Sequence, residues 1–218
     1  MITGKKYELT EETITLFKDY MLHRIKALRD FGSIKAGDLG GYIEKESNLS
    51  HNGDAWLYED AMVYGDAQVY GNARVYGEAH VYGEARVYGG VTVHGNAHVC
   101  DNAKVDDIAQ VCGDAMVYGN AEVNGNVAIG GNVWVNGNAR IQSCDDLCTF
   151  GYFGSSNFYT TAFKIEGRGI GVCGYFEGTF DEFRNKVKKP HGINDYAVED
   201  YLMIADLIEN KLSGRSKK

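Results

Sequence analysis

A six-residue pattern repeats without interruption from Ala55 to about Ser143, and it limits the possible folds more than any other feature of the chain. Each repeat has a small residue, an aliphatic residue two positions later, and then glycine followed by Asn, Asp or Glu. The fifteen central aliphatic residues run from Leu57 to Ile141, and twelve of them are Val. Strand alternation points the small and aliphatic positions to one side, whereas no helical period matches a repeat of six. The sequence therefore predicts a mainly β solenoid in which each repeat is one short strand and one corner.

The corners of the predicted solenoid are marked by glycine, which follows the central aliphatic residue by two positions in eleven of the fifteen repeats. Tight corners favour glycine because it adopts positive φ without steric cost. The repeat, for example Val69 to Arg74 with the sequence Val-Tyr-Gly-Asn-Ala-Arg, resembles that of the hexapeptide-repeat family. This resemblance implies a left-handed parallel β-helix with three walls, eighteen residues per coil and about five regular coils.

Before the regular repeats, residues 1–54 are predicted to form an N-terminal cap that shields the strand edges of the first coil. The segment starts with a polar stretch, which a strand-like mixture from Leu22 to Phe31 and a glycine-rich turn at residues 37–41 follow. Ile43 and Leu49 are six residues apart and indicate one atypical coil, whereas Leu57 follows Leu49 by eight residues. We therefore predict a bulge at residues 51–53.

The regular β-helix is predicted to cover residues 55–144, and a small α+β domain of residues 145–218 follows it. In that domain Thr179-x-x-Glu182 is a capping box that predicts the start of a helix, and a second helix is predicted to begin near Asp195. A domain of this size has a small core, so we expect it to dock on the β-helix or on another subunit. Three strand-like runs precede the helices, at residues 149–153, 159–165 and 169–176.

Composition excludes several classes of partner. The net charge is −8, and no basic stripe is present, which argues against nucleic-acid polymers because phosphate contacts supply most of their affinity. The N-terminus lacks the apolar core of a signal peptide, and no stretch approaches the length of a membrane span. Five cysteines give no paired framework and favour reduced thiols. We expect a cytoplasmic protein with no membrane partner and no cofactor.

Several stretches, most of them outside the repeats, also match known sequences: Arg24 to Phe31, Gly37 to Ile43, Asn48 to Ser50, Ala55-Trp56, and Gly174 to Thr179 with His191-Gly192. They resemble a group of hexapeptide-repeat proteins encoded by phages and prophages. Members of this group are often labelled transferases on the basis of their fold, which does not identify a site. The resemblance implies a location in the host cytoplasm.

Outward-facing positions are the candidates for function, because Val and Ala fill the inner ones. Residues eighteen apart fall on the same wall, so the outward side chains form columns along three walls. The first wall carries Met62, His80, His98, Met116 and Trp134, beside Tyr64, Tyr82, Cys100, Tyr118 and Asn136. The second wall carries Trp56, Arg74, Thr92, Gln110 and Ala128, and the third wall carries Gln68, Arg86, Lys104, Glu122 and Arg140.

The first wall is the most apolar of the three, and we predict that it forms a contact between identical subunits. Large apolar and aromatic side chains on an exposed surface indicate an interface. Members of the hexapeptide-repeat family commonly form trimers with their walls side by side, so the resemblance implies a homotrimer. The alternative is that the tyrosines only cover flat β walls, which Tyr favours. The predicted contact residues are Met62, Tyr64, Tyr82, Met116, Tyr118 and Trp134.

His80 and His98 lie one coil apart on the first wall, so their rings are predicted to be about 5 Å apart. The γ-class carbonic anhydrases share this fold and bind a metal with histidines, but the third histidine is missing here because His94 falls on another wall. We therefore predict no metal site. In an enzyme, His80 and His98 would be the general bases of an acyl transfer. The hexapeptide acyltransferases, however, use a loop that leaves the coil, and no loop interrupts these repeats.

The leading hypothesis from the sequence is a non-enzymatic protein that sequesters a small nucleotide-like signalling molecule. Clefts between neighbouring subunits would offer aromatic rings for stacking and guanidinium groups for phosphates. The alternatives are an acyltransferase that uses an acyl-CoA donor and a structural rod. The candidate ligand-binding residues are Arg74, Arg86, Tyr82, His98, Ser155, Ser156 and Arg168.

Overall fold

The described part of the chain is a β-solenoid of about six turns, with a strand region at its N-terminal end and helices near the C-terminus. The predicted fold class is therefore confirmed. Three of the predicted ligand-binding residues, Ser155, Ser156 and Arg168, lie outside the described residues. The computed structural model describes residues 4–17, 19–152, 159–165, 169–172, 176–188 and 195–213.

The three walls are built from fifteen two-residue strands, β4 to β18, and each residue before the last strand of its wall pairs in parallel with the residue eighteen positions later. His80 pairs with His98 in this way, which confirms the predicted columns. The first wall contains the strands Met62–Val63, His80–Val81, His98–Val99, Met116–Val117 and Trp134–Val135. The second contains Trp56–Leu57, Arg74–Val75, Thr92–Val93, Gln110–Val111 and Ala128–Ile129. The third contains Gln68–Val69, Arg86–Val87, Lys104–Val105, Glu122–Val123 and Arg140–Ile141.

The interior of the solenoid is filled by the small and aliphatic positions of the repeats. Every one of these residues is at most 8% exposed, and most are fully buried. Burial of one such Val side chain contributes roughly 1.5 kcal/mol or more to stability. Because these contacts recur in every coil, the core is a continuous column along the solenoid axis.

Glycine is required at the corners because successive coils approach closely there. Gly71 has φ +71°, and a Cβ atom on it would lie 2.9 Å from the backbone nitrogen of Gly89. Asp101 and Asp107 adopt the same left-handed conformation, with φ of 56° and 58°. Each carboxylate accepts a hydrogen bond from the glycine amide one coil further along, at 3.0 Å in both cases. Aspartate tolerates this conformation better than most residues, and the hydrogen bond stabilises it further.

The N-terminal cap extends the sheet of the first wall. Strands β1 (Tyr7–Leu16) and β2 (Tyr20–Ala27) form an antiparallel hairpin, and β3 (Leu39–Ile43) pairs with β2. β3 then pairs in parallel with the first strand of the first wall, Met62–Val63. The polar start of the chain forms β1, and pairing with β2 satisfies its backbone groups.

The atypical coil predicted before the regular repeats is confirmed. Ile43 and Leu49 pair with the central Val residues of the next coil, and a short 3-10 helix, Glu46–Asn48, lies between them. Residues 51–53 form a bend that ends at Gly53 with φ +72°. The eight-residue spacing to Leu57 is accommodated by this bend.

Trp56 is fully buried, although its column position predicts an outward-facing side chain. Its ring lies 5.3 Å from that of Phe31 and 6.3 Å from that of Tyr7, both of which belong to the cap. The cap therefore covers the outer face of the second wall at its start. A repeat pattern cannot predict this covering because the cap lies outside the repeats.

The C-terminal part is a four-stranded antiparallel sheet followed by two helices. Residues 169–176 were predicted as one strand, but they belong to two strands that pair with each other in antiparallel orientation. The capping box at the start of the first helix is confirmed, because the amide of Glu182 donates to Oγ1 of Thr179 at 3.2 Å. The strands are β19 (Leu147–Tyr152), β20 (Tyr159–Lys164), β21 (Ile170–Val172) and β22 (Phe176–Gly178), and the helices are α1 (Phe180–Val187) and α2 (Asp195–Leu212).

The C-terminal sheet docks on the last coil of the solenoid. Phe163 of β20 is fully buried within the solenoid core. Ile165 pairs with Ala139 of the last coil through an antiparallel bridge. Within the described residues, neither helix is both long and apolar enough to span a membrane.

Candidate functional site

The outer face of the first wall carries four aromatic rings in mutual contact, which we call the ring cluster: Tyr64, Tyr82, His80 and His98. The two imidazoles stack with centroids 5.0 Å apart, close to the expected separation. The two tyrosine rings stack at 5.1 Å with planes only 2° apart. Tyr64 meets His80, and Tyr82 meets His98, edge to face at 6.0 Å. The parallel register of the strands produces this arrangement, since each ring repeats one coil later.

Burial keeps the ring cluster uncharged at neutral pH. Burial lowers the pKa of both His80 and His98 below the ordinary value of 6.5, and the neighbouring imidazole lowers that of His80 further. Burial also raises the pKa of Tyr64 to about 12. The pKa of Tyr82 is raised by burial and by its hydrogen bond to Cys100. Neutral imidazoles of this kind are able to stack or to accept a proton.

Tyr64 is covered by the N-terminal cap and is only 6% exposed. Its ring lies 5.1 Å from that of Tyr20, and it packs in one cluster with Leu22 and Tyr42. The sequence predicts Tyr64 as a subunit contact, but in this structure its side chain contacts its own chain. The prediction overlooked the cap because β1 and β2 continue the first wall beyond the repeats.

The other predicted contact residues stay accessible to different degrees. Met62, Tyr82, Met116 and Tyr118 are half-buried, and Trp134 is 40% exposed. Tyr118 accepts a hydrogen bond from Nδ2 of Asn136 at 3.0 Å, so its hydroxyl is held within the chain. The homotrimer stays a prediction.

The predicted ligand-binding residues lie on three different walls. Tyr82 and His98 belong to the ring cluster of the first wall, whereas Arg74 is exposed on the second wall and Arg86 on the third. A single chain therefore does not bring both guanidinium groups to the ring cluster. A site that used all of them would need walls from neighbouring subunits.

In the described part of the chain, His80 and His98 have no third metal ligand beside them. Among the described residues, no group of three or more His, Cys, Asp or Glu side chains is placed to hold a metal ion. The Nδ1 atom of His98 is buried without a hydrogen-bond partner, and Nδ1 of His80 lies 3.5 Å from the hydroxyl of Tyr64.

A second set of polar residues, which no sequence pattern indicated, lies where the N-terminal cap meets the first regular repeat at Ala55. Lys6 is fully buried, and its Nζ atom donates to the carbonyl of Ala55 at 2.7 Å. Burial and the nearby Arg29 lower the pKa of Lys6 to about 8. His51 stacks on Tyr7 at 4.3 Å beside it. No pattern in the polar N-terminal stretch indicates these contacts, since they join residues more than forty positions apart.

The geometry thus defines a three-walled β-solenoid. The candidates for function are its outward-facing aromatic side chains and arginines. Comparison with known proteins agrees with this class: residues 67–83, 79–95 and 109–125 match the YdcK Beta solenoid repeat family. The chain is also similar to an Escherichia coli (strain K12) protein named "Uncharacterized acetyltransferase YdcK", with 34% identity over 62 residues. That similarity covers 25% of this chain and 19% of the relative, so the chain spans about a fifth of the relative's length.

Proposed function

We propose that this protein is a non-enzymatic binding protein of the phage type, which sequesters a small nucleotide-like molecule in the cytoplasm as a homo-oligomer. The observation that supports this most strongly is the set of stacked rings along the walls, beside exposed arginines. Besides the ring cluster, Tyr70 stacks on Tyr88 and Tyr76 stacks on His94, both at 4.8 Å. Ring faces stack on bases, and guanidinium groups hold phosphates.

The proposed site forms between subunits. In a trimer, Arg74 or Arg86 of one subunit would lie beside Tyr82 and His98 of the next, and a nucleotide would stack on the rings while its phosphates contact the guanidinium. Because the two imidazoles are neutral, the arginines of a neighbouring subunit would not repel them, and the rings stay able to stack on a base. The coils from Ala55 to Ser143 have no inserted loop that would act as a lid, and catalysis in water-filled clefts is inefficient.

An acyltransferase is the second candidate, and two observations favour it. The Escherichia coli relative is named an acetyltransferase. In addition, His80 and His98 have lowered pKa values and are neutral near pH 7, which a general base requires. A structural rod is the third candidate, because uninterrupted solenoids are stiff.

The test is to identify the small molecules that the purified protein releases on heat denaturation. We expect mass spectrometry to find a nucleotide-like compound, and added nucleotide second messengers to be depleted and recovered unchanged. Arg86→Ala should weaken this capture by about 1 to 3 kcal/mol, whereas Gln110→Ala on the second wall should not. Consumption of acetyl-CoA that His80→Ala or His98→Ala abolishes would instead establish the acyltransferase. If neither turnover nor a retained compound is found, the structural rod is the remaining candidate.

The oligomer is tested separately. Met116→Glu places a charge in the proposed apolar contact and should yield smaller species in light scattering. Gln110→Glu, at the matching position of the second wall, should leave the size unchanged. A wild-type protein that is monomeric at micromolar concentration would contradict the proposed oligomer.

A further inference from the structure

A cleft of about 480 Å³ lies where the N-terminal cap meets the third wall. All of its walls come from one chain, so it does not depend on an oligomer and lies outside the site of the proposed function. Its floor includes Leu49 and Val69, which are buried in the core. Its polar lining consists of Glu46, Ser47, Ser50, His51, Asn52, Gln68 and Tyr70.

The cleft exists because the bend at residues 51–53 interrupts a column of stacked rings. On the third wall, Tyr88 covers one face of Tyr70, with ring centroids 4.8 Å apart and planes 1° apart. The residue one coil before Tyr70 is Asn52, which lies in the bend and has no ring. The other face of Tyr70 is therefore the last ring surface of the column, and it borders the cleft.

Several side chains around this ring face have unused hydrogen-bonding capacity. Within the described residues, the side chains of Ser47, Asn52 and Gln68 make no hydrogen bond. A carboxamide offers two donors and an acceptor, and a hydroxyl offers one donor and two lone pairs. Glu46 uses Oε1 to pair with Lys5, whereas its Oε2 lies 3.8 Å from His51 Nε2, beyond hydrogen-bond distance.

The bend is held in place before any ligand arrives. His51 Nδ1 accepts from the backbone amide of Lys6 at 3.1 Å, and its ring stacks on Tyr7. The hydroxyl of Tyr7 donates to the carbonyls of Glu46 and Leu49, at 2.9 and 2.6 Å. A cleft fixed in this way loses little conformational freedom on binding.

The charge of the cleft decides between classes of ligand. Its lining residues include a carboxylate but no Lys or Arg, and the adjacent Lys5 is already paired with Glu46, so the lining offers no free cation for the phosphates of a nucleotide. A carboxylate and carboxamides around an aromatic face suit a ring that has an apolar face and many hydroxyl groups at its edge. We propose that this cleft binds a neutral saccharide, with one pyranose ring on Tyr70 and its hydroxyls on Gln68, Asn52 and Glu46.

Saturation-transfer NMR on the full-length protein tests the proposal with four probes at millimolar concentration. These are the methyl pyranosides of glucose, galactose, mannose and N-acetylglucosamine, with uridine as the comparison. At least one pyranoside should receive saturation from the protein. Tyr70→Leu and Gln68→Ala should each weaken its binding about fivefold or more, since each removes a direct contact.

Matched controls separate the cleft from the walls. Tyr76→Leu and Gln110→Ala remove the same residue types from the second wall and should leave saccharide binding unchanged. Met116→Glu, which tests the oligomer of the proposed function, should also leave it unchanged, and a loss would overturn a site within one chain. The proposal is also overturned if none of the four pyranosides binds, if Tyr70→Leu binds like the wild type, or if uridine binds more tightly than every pyranoside.

Discussion

The first and third walls share one backbone but differ in what covers their outer faces. The first wall is continued by β3, β2 and β1 into an eight-stranded sheet, and Tyr64 becomes part of a hydrophobic cluster. The third wall has five strands, and its outer column is charged: Glu122 lies 2.9 Å from Lys104 Nζ and 3.4 Å from Arg140 Nε. The repeat thus determines the backbone and the interior, whereas the flanking segments decide which outward residues stay exposed.

The largest expected effect comes from the interior, where the two walls should behave alike. Val99→Asp on the first wall and Val105→Asp on the third each bury a carboxylate without a partner, at a cost of several kcal/mol. Circular dichroism should show that neither variant folds. Gln110→Lys, at an exposed position, should fold normally. A folded Val99→Asp protein would show that the inner and outer registers are misassigned.

The outer faces should differ when equivalent tyrosines are removed. Tyr64→Ala on the first wall leaves a hole in a packed cluster and should lower the free energy of unfolding by about 3 kcal/mol. Tyr70→Ala on the third wall removes a half-exposed ring and should cost about 1 kcal/mol or less. Urea unfolding measures both values. Equal losses would mean that the cap does not cover the first wall in solution.

A smaller difference should appear in the dependence of stability on pH. The folded protein holds His80 and His98 at pKa values below the ordinary 6.5, so the unfolded chain binds protons more readily. The contribution of these two imidazoles to the free energy of unfolding should therefore be fully present above about pH 6.5. It should be lost as the pH falls through their lowered pKa values.

The matched protein for this measurement is the double variant His80→Gln/His98→Gln. Its profile between pH 7 and 5 should be flatter than that of the wild type, since other groups contribute equally to both. Identical slopes in the two proteins would show that these imidazoles are not buried in their neutral form.

The smallest effect is expected on the charged column of the third wall. Glu122→Gln removes a half-exposed partner of Lys104 and Arg140 and should lower stability by about 1 kcal/mol or less, with a smaller effect in high salt. Glu84→Gln, at an exposed corner, serves as the control. A loss as large as that of Tyr64→Ala would mean that surface ion pairs hold the third wall together.

The columns could be predicted from the sequence because the solenoid is periodic. Residues eighteen apart must stack once each repeat is one strand and one corner, so the contact between His80 and His98 follows from their spacing alone. The capping box of α1 is equally local, because Thr179 and Glu182 are neighbours along the helix.

The missing parts of the prediction involve contacts that no repeat encodes. Trp56 and Tyr64 occupy outward positions, and only the docking of the cap turns them inward. Lys6 contacts Ala55, which lies forty-nine positions further along the chain. Such contacts depend on how the flanking segments fold back, and a single sequence gives no period from which to predict that path.

Phe163 and the bridge from Ile165 to Ala139 have a consequence for assembly. Open strand edges at the end of a solenoid are templates on which another chain adds its own strands. Here the C-terminal sheet occupies the last coil, and the cap occupies the first. We therefore expect that copies of this protein do not stack end to end along the solenoid axis. Any higher-order structure should form through the walls, so that it is one molecule long along that axis.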